Sequence, residues 1–573
     1  MFGSSNNIFY LTDANIQVLL DGLTLQDAFN NGNNRLGGAA GMQRGKLTVQ
    51  NCTFRNNTAN NGGALYFSEF SNARILNCRF IGNKAVQSGG AIYSRCDSLI
   101  IFESSFYSNF AGSSGGAIYS YNSDGVEFDS LDLKYNNAAV GGGIYFGSGN
   151  GTFSKIHSLS NSAIVGGGIQ FAFATIEINS SSFTSDNSNT GGAISSSSSQ
   201  INLSEINFSL NKASKGVALH MLNTTILLNS CKFNLNTGST PTTTGDLVSL
   251  NNSIFVGDDL EVFNNQNLSS ITAQNSKLTL INSNIHHNQE FANSADQLFE
   301  LFYTVLKFEN VFVTDNQFST NFSFLGDGSG DTVLFKNTHI LRNTGNLFIV
   351  TTIEDFKLVN SVVANNLGPS YITLGSFVLG TKAAMINSVV SGNRNNTSLI
   401  NLVQMYDSEL MIGNCIINDN TNSGISTMNF SINAYQSIIQ NGSALGPTIL
   451  DVDPMFVDPA SGNFNLQMGS PAINTGSPLN APATDILGNP RPQGGFYDMG
   501  IYEYAIPTNF VFNGALDNDW HKGGNWDTGF PPPNIFNGNI IFNASATKID
   551  GLGFDIKNPG TLTLGNGVIV QIK

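Results

Sequence analysis

"LTVQNCTFRNNTANNGGALYF", residues 47–67, holds three short runs of alternating character. Leu47 and Val49 alternate with polar neighbours. Cys52 and Phe54 do so after a break at Asn51, and Leu65 and Phe67 after Gly62 and Gly63. Alternation with period two is the strand pattern, and Asn and Gly between the runs supply the turns. The stretch recurs. The small residue after the glycines falls at Ala39, Ala64, Ala91, Ala117, Gly143, Gly168, Ala193 and Ala218, in steps of 25–27 residues. An apolar residue followed three later by Asn keeps the same time, at Phe54/Asn57, Phe80/Asn83, Phe106/Asn109, Leu133/Asn136, Phe208/Asn211 and Phe233/Asn236. Where that motif degenerates its register survives, at Ser158/Asn161 and Phe183/Asp186. A fixed period of this length means stacked repeats. Three short strands per period, with a right-handed connection between parallel strands, predict an all-β, right-handed parallel β-helix. A helical repeat is opposed by the Gly-Gly pairs and the β-branched and aromatic content.

Each motif residue then has a task. Phe54 and its equivalents are expected to stack along the interior. The Asn three later is expected at a bend, where it tolerates left-handed backbone and bonds nearby amides. The Gly-Gly pair permits a turn closed to residues with a Cβ. Beyond residue 240 the glycines fade, but the Asn motif continues at Val262/Asn265, Ile285/Asn288, Val313/Asn316, Ile340/Asn343, Val363/Asn366, Val390/Asn393, Ile417/Asn420 and Ile438/Asn441. With a coil from residues 8–28 this gives about 16–17 coils over 1–445. "GSTPTTTG", 238–245, reads as a loop leaving one corner. Prolines and aromatics replace the ladder from residue 451, and 446–505 is read as a capping segment, since a solenoid end needs one. Residues 506–573 read as part of a second β-rich module. They hold both tryptophans, Trp520 and Trp526, and end in "GTLTLGNGVIVQIK".

The totals narrow the function. The net charge of −15 and only 25 basic residues, in no run, argue against nucleic acid as a partner. They also disfavour acidic polysaccharides unless calcium bridges them. No apolar run nears the length of a transmembrane helix. Residues 1–20 lack the basic start and apolar core of a secretion signal. The chain begins and ends inside β patterns, so a fragment is expected, with signal and anchor outside it. Four of the five cysteines, Cys52, Cys78, Cys231 and Cys415, share one repeat position with Ser104, Ser181, Ser283, Ser361 and Ser388. That position calls for a small inward residue, and buried free thiols fit it. A Cys52–Cys78 bridge is tight in geometry, and the spacing fits no zinc motif.

The paired Gly-Gly-Ala-Ile and Phe-x-x-Asn motifs resemble the passenger repeats of chlamydial polymorphic membrane proteins, a family of adhesin-like autotransporters. Residues 451–504 resemble the ending of β-helix domains in secreted proteins of Bacteroidetes-like bacteria, and Trp520–Pro533 is similar to modules of their large surface proteins. The chain departs from autotransporters in having no stretch like their membrane barrel. The resemblance implies a secreted or cell-surface bacterial protein of adhesin type.

Parallel β-helices also carry pectate lyases and polygalacturonases, so the fold alone does not decide the activity. The Gly-His-Gly of polygalacturonase-like sites is absent from the sequence. A lyase site needs a base beside a calcium cluster. The acidic groupings are Asp258, Asp259 and Glu261; Asp327 and Asp331; and Asp451 and Asp453. None is expected to have a phase-matched Arg or Lys on a neighbouring coil. Calcium is the one ion they admit, through "GDGSGD" at 326–331. Otherwise no cofactor is expected. One outward row holds Ser105, Asp132, His157 and Ser182, the order a nucleophilic triad requires. The plainer reading of that row is a polar exterior ladder.

The tyrosines say more. With Leu65, Ile92, Ile118 and Ile144 inward, Tyr66, Tyr93, Tyr119 and Tyr145 face outward on four consecutive coils, and Gln170, Ser195 and His220 continue the row. Aromatic faces in line suit sugar rings, and hydroxyls bond them. The plainer alternative is an aromatic ladder that stiffens the sheet. The expected function is an adhesin-like surface protein that binds glycans, or other host or neighbour-cell surface molecules, through Tyr66, Tyr93, Tyr119 and Tyr145. The alternatives are a polysaccharide lyase-like enzyme and a passive stalk.

Overall fold

A computed structural model describes residues 8–493, except 14–15, 31–35, 239–244, 290–297, 327–331, 350–354, 369–371, 374–375, 378–381, 396–400, 406–408, 422–423 and 428–430. It also describes 495–505, 509–513, 525–528, 535–536, 539–542, 555–556 and 562–564. The quoted stretch forms the strands Gly45–Gln50, Thr53–Arg55 and Leu65–Phe67. Each pairs in parallel with its counterpart one period later: Val49 with Ile75, Phe54 with Phe80, Leu65 with Ile92. The pattern makes a right-handed parallel β-helix of about 16 turns. The expected first coil is present: Gln17–Asp21 pairs with Gly45–Gln50, and Thr24–Gln26 with Thr53–Arg55.

The interior is one continuous apolar core. The Phe54, Phe80 and Phe106 rings stack at 4.9 and 4.7 Å, nearly parallel, and all are buried. Phe183, Phe208 and Phe233 resume the stack at 5.5 and 4.9 Å. Beside it runs a polar spine. Asn83 donates both its backbone N–H and its Nδ2 to Asn109 Oδ1 at 3.0 Å, and its Nδ2 also reaches the Phe54 carbonyl. The same three bonds recur at Asn57, Asn109, Asn136, Asn211, Asn236, Asn265, Asn288, Asn316, Asn343, Asn366 and Asn393. Bends leave backbone groups that no strand pairs, and each rung satisfies them from inside.

The two glycines of each pair have separate jobs. The first is left-handed, with φ between +64° and +70° at Gly62, Gly89, Gly115 and Gly141. The second is a close approach: a Cβ on Gly63 would overlap the Gly90 carbonyl. All five cysteines are free and buried, and burial pushes the Cys78 thiol up to about 11. The position shared by Cys52, Cys78, Cys231 and Cys415 needs more than smallness. Ser104 Oγ accepts from the Cys78 N–H at 3.0 Å and donates to the Phe102 carbonyl at 2.8 Å. Cys78 Sγ reaches the Leu76 carbonyl in the same way.

The last expected motif is shifted by one. Ile439, not Ile438, lies opposite Ile417, so the rung position falls on Gly442 and Asn441 is exposed. The spine therefore ends at Asn420, whose Nδ2 turns to the Asn418 and Val390 carbonyls.

Within 446–505 only Ile449–Leu450 continues the stack, on Ser437 and Ile438. The rest lies along the side of the late coils. Phe456, Phe464, Leu466, Ala472, Met499 and Ile501 pack on outward-facing Leu341, Val362, Ala364, Val389, Ile416 and Ile438. Exterior asparagines hold it there: Asn387 Nδ2 donates to the Asp498 and Gly500 carbonyls, and Asn414 exchanges two 2.7 Å bonds with Ser477. At its centre Arg491 pairs with Glu503 at 2.8 Å, both fully buried, and reaches Asn360 Oδ1 at 3.0 Å. Further on, Asn509–Phe512 pairs in parallel with Asn539–Phe542, which pairs with Leu562–Leu564. Trp526 packs on Phe510, Phe512 and Phe542. Trp520 and most of 238–245 lie outside the described residues.

Candidate functional site

Leu65, Ile92, Ile118 and Ile144 are buried, so alternation sends the next residue of each strand outward. Tyr66, Tyr93, Tyr119 and Tyr145 lie directly opposite one another on four coils. Their rings stack face to face at 5.1, 4.8 and 5.0 Å, with interplanar angles of 9°, 12° and 6°. Laid end to end these separations make a strip of about 15 Å. This changes how the strip can touch a ligand. The faces of the inner rings are taken by their neighbours, so the strip offers ring edges and phenolic hydroxyls. Face stacking on sugar, the expected mode, is closed to Tyr93 and Tyr119. Burial, with neighbouring phenols, pushes the Tyr66 hydroxyl up to about 12 and raises those of Tyr119 and Tyr145; burial raises that of Tyr93 against the opposing Arg95. All four are therefore neutral donors at ordinary pH.

The row continues in register as Gln170, Ser195 and His220. Gln170 and Ser195 are buried, so the aromatic strip stops at Tyr145. Three flanking residues were not singled out from the sequence. Tyr121 lies two residues beyond Tyr119, hence on the same face, with its ring 6.5 Å away. It leans over Gly147, where a Cβ would come within 2.8 Å of it. The Arg95 guanidinium sits 5.9 Å from the Tyr121 ring centre and pairs with Glu69 at 2.8 Å. The i, i+2 rule for strands was the signal that could have found Tyr121 and Arg95.

The serine–aspartate–histidine row is also in register: Ser105 opposite Asp132, Asp132 opposite His157, His157 opposite Ser182. His157 Nδ1 and Ser182 Oγ lie 3.1 Å apart, but Asp132 turns to Lys134 at 3.2 Å. His157 is exposed. The arrangement is that of a polar exterior ladder, with no carboxylate orienting the imidazole.

Four members of the acidic groupings bond separate partners. Asp258 accepts from Asn282, Asp259 from Ser230, and Asp453 caps the Met455 N–H. One expectation fails here. Lys232 stands opposite Glu261 on the preceding coil and pairs with it at 2.8 Å, so a phase-matched cation is present. It forms an exposed ion pair, not a base beside a metal cluster. Asp327 and Asp331 lie outside the described residues. Among the described residues no three side chains gather as a metal site, and no helix is long and apolar enough to cross a membrane.

The Chlamydia polymorphic membrane protein repeat matches residues 51–68, 77–95 and 103–121, three successive coils that include Tyr66, Tyr93 and Tyr119. No curated protein matches the chain. Two solved structures are similar in part. The pectate lyase Pel9A is 13% identical over 68% of this chain and 88% of its own, with a TM-score of 0.26. PfbA, a surface adhesin of Streptococcus pneumoniae, is 10% identical over 66% and 84%, with a TM-score of 0.18.

Proposed function

We propose that this chain, a right-handed parallel β-helix bearing three Chlamydia polymorphic membrane protein repeats, is a surface-displayed adhesin-like rod that binds glycans along its tyrosine strip. The repeat supports the surface location. The observation that carries binding is the strip itself: four outward phenols held at one register, at coil spacing, flanked by Tyr121 and the Arg95–Glu69 pair. Stacked rings fix the hydroxyls before any ligand arrives, which lowers the entropy lost on binding. A chain of sugars lying along the rod meets one phenol per coil. Its hydroxyls bond the phenols, and Arg95 and Glu69 offer a donor and an acceptor at one edge. Each contact is worth on the order of 1 kcal/mol, so affinity is weak per ring and grows with ligand length.

The ligand is a neutral glycan, since the chain carries −15 net charge and Glu69 neutralises Arg95. No cofactor takes part, and binding is indifferent to calcium chelation. Isothermal titration with neutral oligosaccharides of increasing length tests this. Affinity is expected to rise with length up to the span of the strip. Flat affinity with length, or loss of binding on adding chelator, would contradict it. Incubation with pectate, alginate, chondroitin and neutral glycans is expected to release no unsaturated or reducing ends. Turnover abolished by His157→Ala would instead favour an enzyme.

A further inference from the structure

One rung of the inner spine differs from the rest. Asp186 stands where the other coils from Asn57 to Asn420 place Asn. Its Oδ1 accepts from the Asn161 N–H at 2.8 Å and from Asn161 Nδ2 at 3.1 Å, and its own N–H donates to Asn211 Oδ1 at 2.9 Å. An Asn here would use Nδ2 to donate onward to Asn211 Oδ1 and back to the carbonyl of residue 158, as Asn211 does toward Asn236 and Phe183. Asp186 has an oxygen in that place. Oδ2 is fully buried and makes no hydrogen bond of good geometry.

Two further departures surround it. Ser158 occupies the position of the stacked phenylalanines, and its Oγ accepts from Asn161 Nδ2 at 2.9 Å. Gly168, like Gly143 one coil earlier, takes the position held elsewhere by alanine. A Cβ there would stand 2.9 Å from Asp186 Oδ2 and 3.0 Å from Ser158 Oγ. The three changes meet at one point inside the rod. Facing Asp186 are Ser158 and Asn161 of the preceding coil, Gly168 just ahead of the strand Ile169–Asn179, and Asn211 of the following coil. None of them ionises near neutrality, and no charged side chain contributes to the state of the carboxyl.

We propose that Asp186 is a proton-binding rung: the acid form completes the spine by donating from Oδ2, and its ionisation opens the coils between Asn161 and Asn211. Only a donor restores the bond that the amide makes elsewhere, and a buried carboxylate facing acceptor oxygens is costly. Burial raises this carboxyl to about 7, against an ordinary 3.8, with Ser158 and Asn161 opposing the rise. The sign follows. Between 3.8 and about 7 the folded rod holds a proton that the opened chain releases. Local stability therefore falls as pH rises through that window and is level above it.

The test is hydrogen exchange of the full chain, followed in peptides spanning 180–211, for the parent and Asp186→Asn from pH 5 to pH 9. Taking the ratio of the two proteins removes the intrinsic pH dependence of exchange and the titration of Asp498, whose carboxyl burial also pushes up to about 7 and which is common to both. The parent is expected to open more often than the variant by a factor that grows with pH, by up to about tenfold per pH unit, and stops growing above pH 8. Ser158→Ala is the second arm. Removing a hydroxyl that favours the ionised form shifts the parent's transition to higher pH. A parent-to-variant ratio constant across pH would overturn the proposal, as would a Ser158→Ala transition unmoved or moved to lower pH.

Discussion

The coils before residue 240 and those after it solve the same packing problem with different material. The early ones fill the inner bend with phenylalanines stacked at 4.7–4.9 Å, as at Phe54, Phe80 and Phe106. The late ones place Val262, Ile285, Val313, Ile340, Val363 and Val390 there, all buried. Their phenylalanines meet edge to face elsewhere in the section, as Phe308 does with Phe299 and Phe335. The early coils turn on Gly-Gly and carry the tyrosine strip; the late ones lose both, and those from Leu341 onward bury an outer face under 446–505. One thing is common to both: the Asn rung, with bonds of about 3 Å at Asn109 and at Asn366 alike. The apolar filler is exchangeable because dispersion and burial depend on volume more than on shape in detail. The rung is not, because only an amide both accepts two bonds and donates two at that bend.

That contrast can be broken by mutation. Asn109→Leu leaves the Asn83 N–H and Nδ2 without their acceptor and the Phe80 carbonyl without its donor. At about 1–3 kcal/mol per buried orphan, a local loss of about 4–5 kcal/mol is expected, and Asn366→Leu should match it. A cheap Asn366→Leu beside a costly Asn109→Leu would end the claim that one spine serves both regions. Phe80→Ala should cost about 3–5 kcal/mol, and Val363→Ala about 2. Denaturant unfolding read by hydrogen exchange distinguishes them, since a solenoid can fray without unfolding throughout. Arg491→Met strands the fully buried Glu503 carboxylate and should loosen 446–505 by about 3 kcal/mol, seen as faster proteolysis of that segment with the early coils unchanged. Replacing both partners, Arg491→Met with Glu503→Leu, should recover most of it. Cys78→Ser should shift stability by less than about 1 kcal/mol, because Ser104 and Ser181 already make the same bonds at that position.

The periodicity made the rod, its three strands per coil and the inward Phe and Asn rows legible before any coordinates, because each follows from alternation and spacing alone. Outward phase placed the four tyrosines correctly for the same reason. Their mutual stacking was not legible: phase gives the direction of a side chain, and whether neighbours close on each other depends on χ angles and coil spacing. The Ile438/Asn441 motif misled because a one-residue slip leaves the local pattern intact while moving the rung to Gly442. The lateral course of 446–505 was hidden because outward apolar residues such as Val362 and Ile416 read as ordinary surface until something covers them. The Lys232–Glu261 pair escaped because register across a step of 29 residues must be known before two charges can be matched.

The central claim is that the tyrosine strip is the binding face, and glycan binding by the Tyr93→Ala, Tyr119→Ala double variant tests it most directly. The two substitutions remove the middle of the strip and leave Ile92 and Ile118, and hence the core, in place. The account predicts slightly weaker binding for Tyr93→Ala alone and nearly none for the pair, with circular dichroism and thermal stability close to the parent's. A folded double variant that binds neutral oligosaccharides as well as the parent would contradict it.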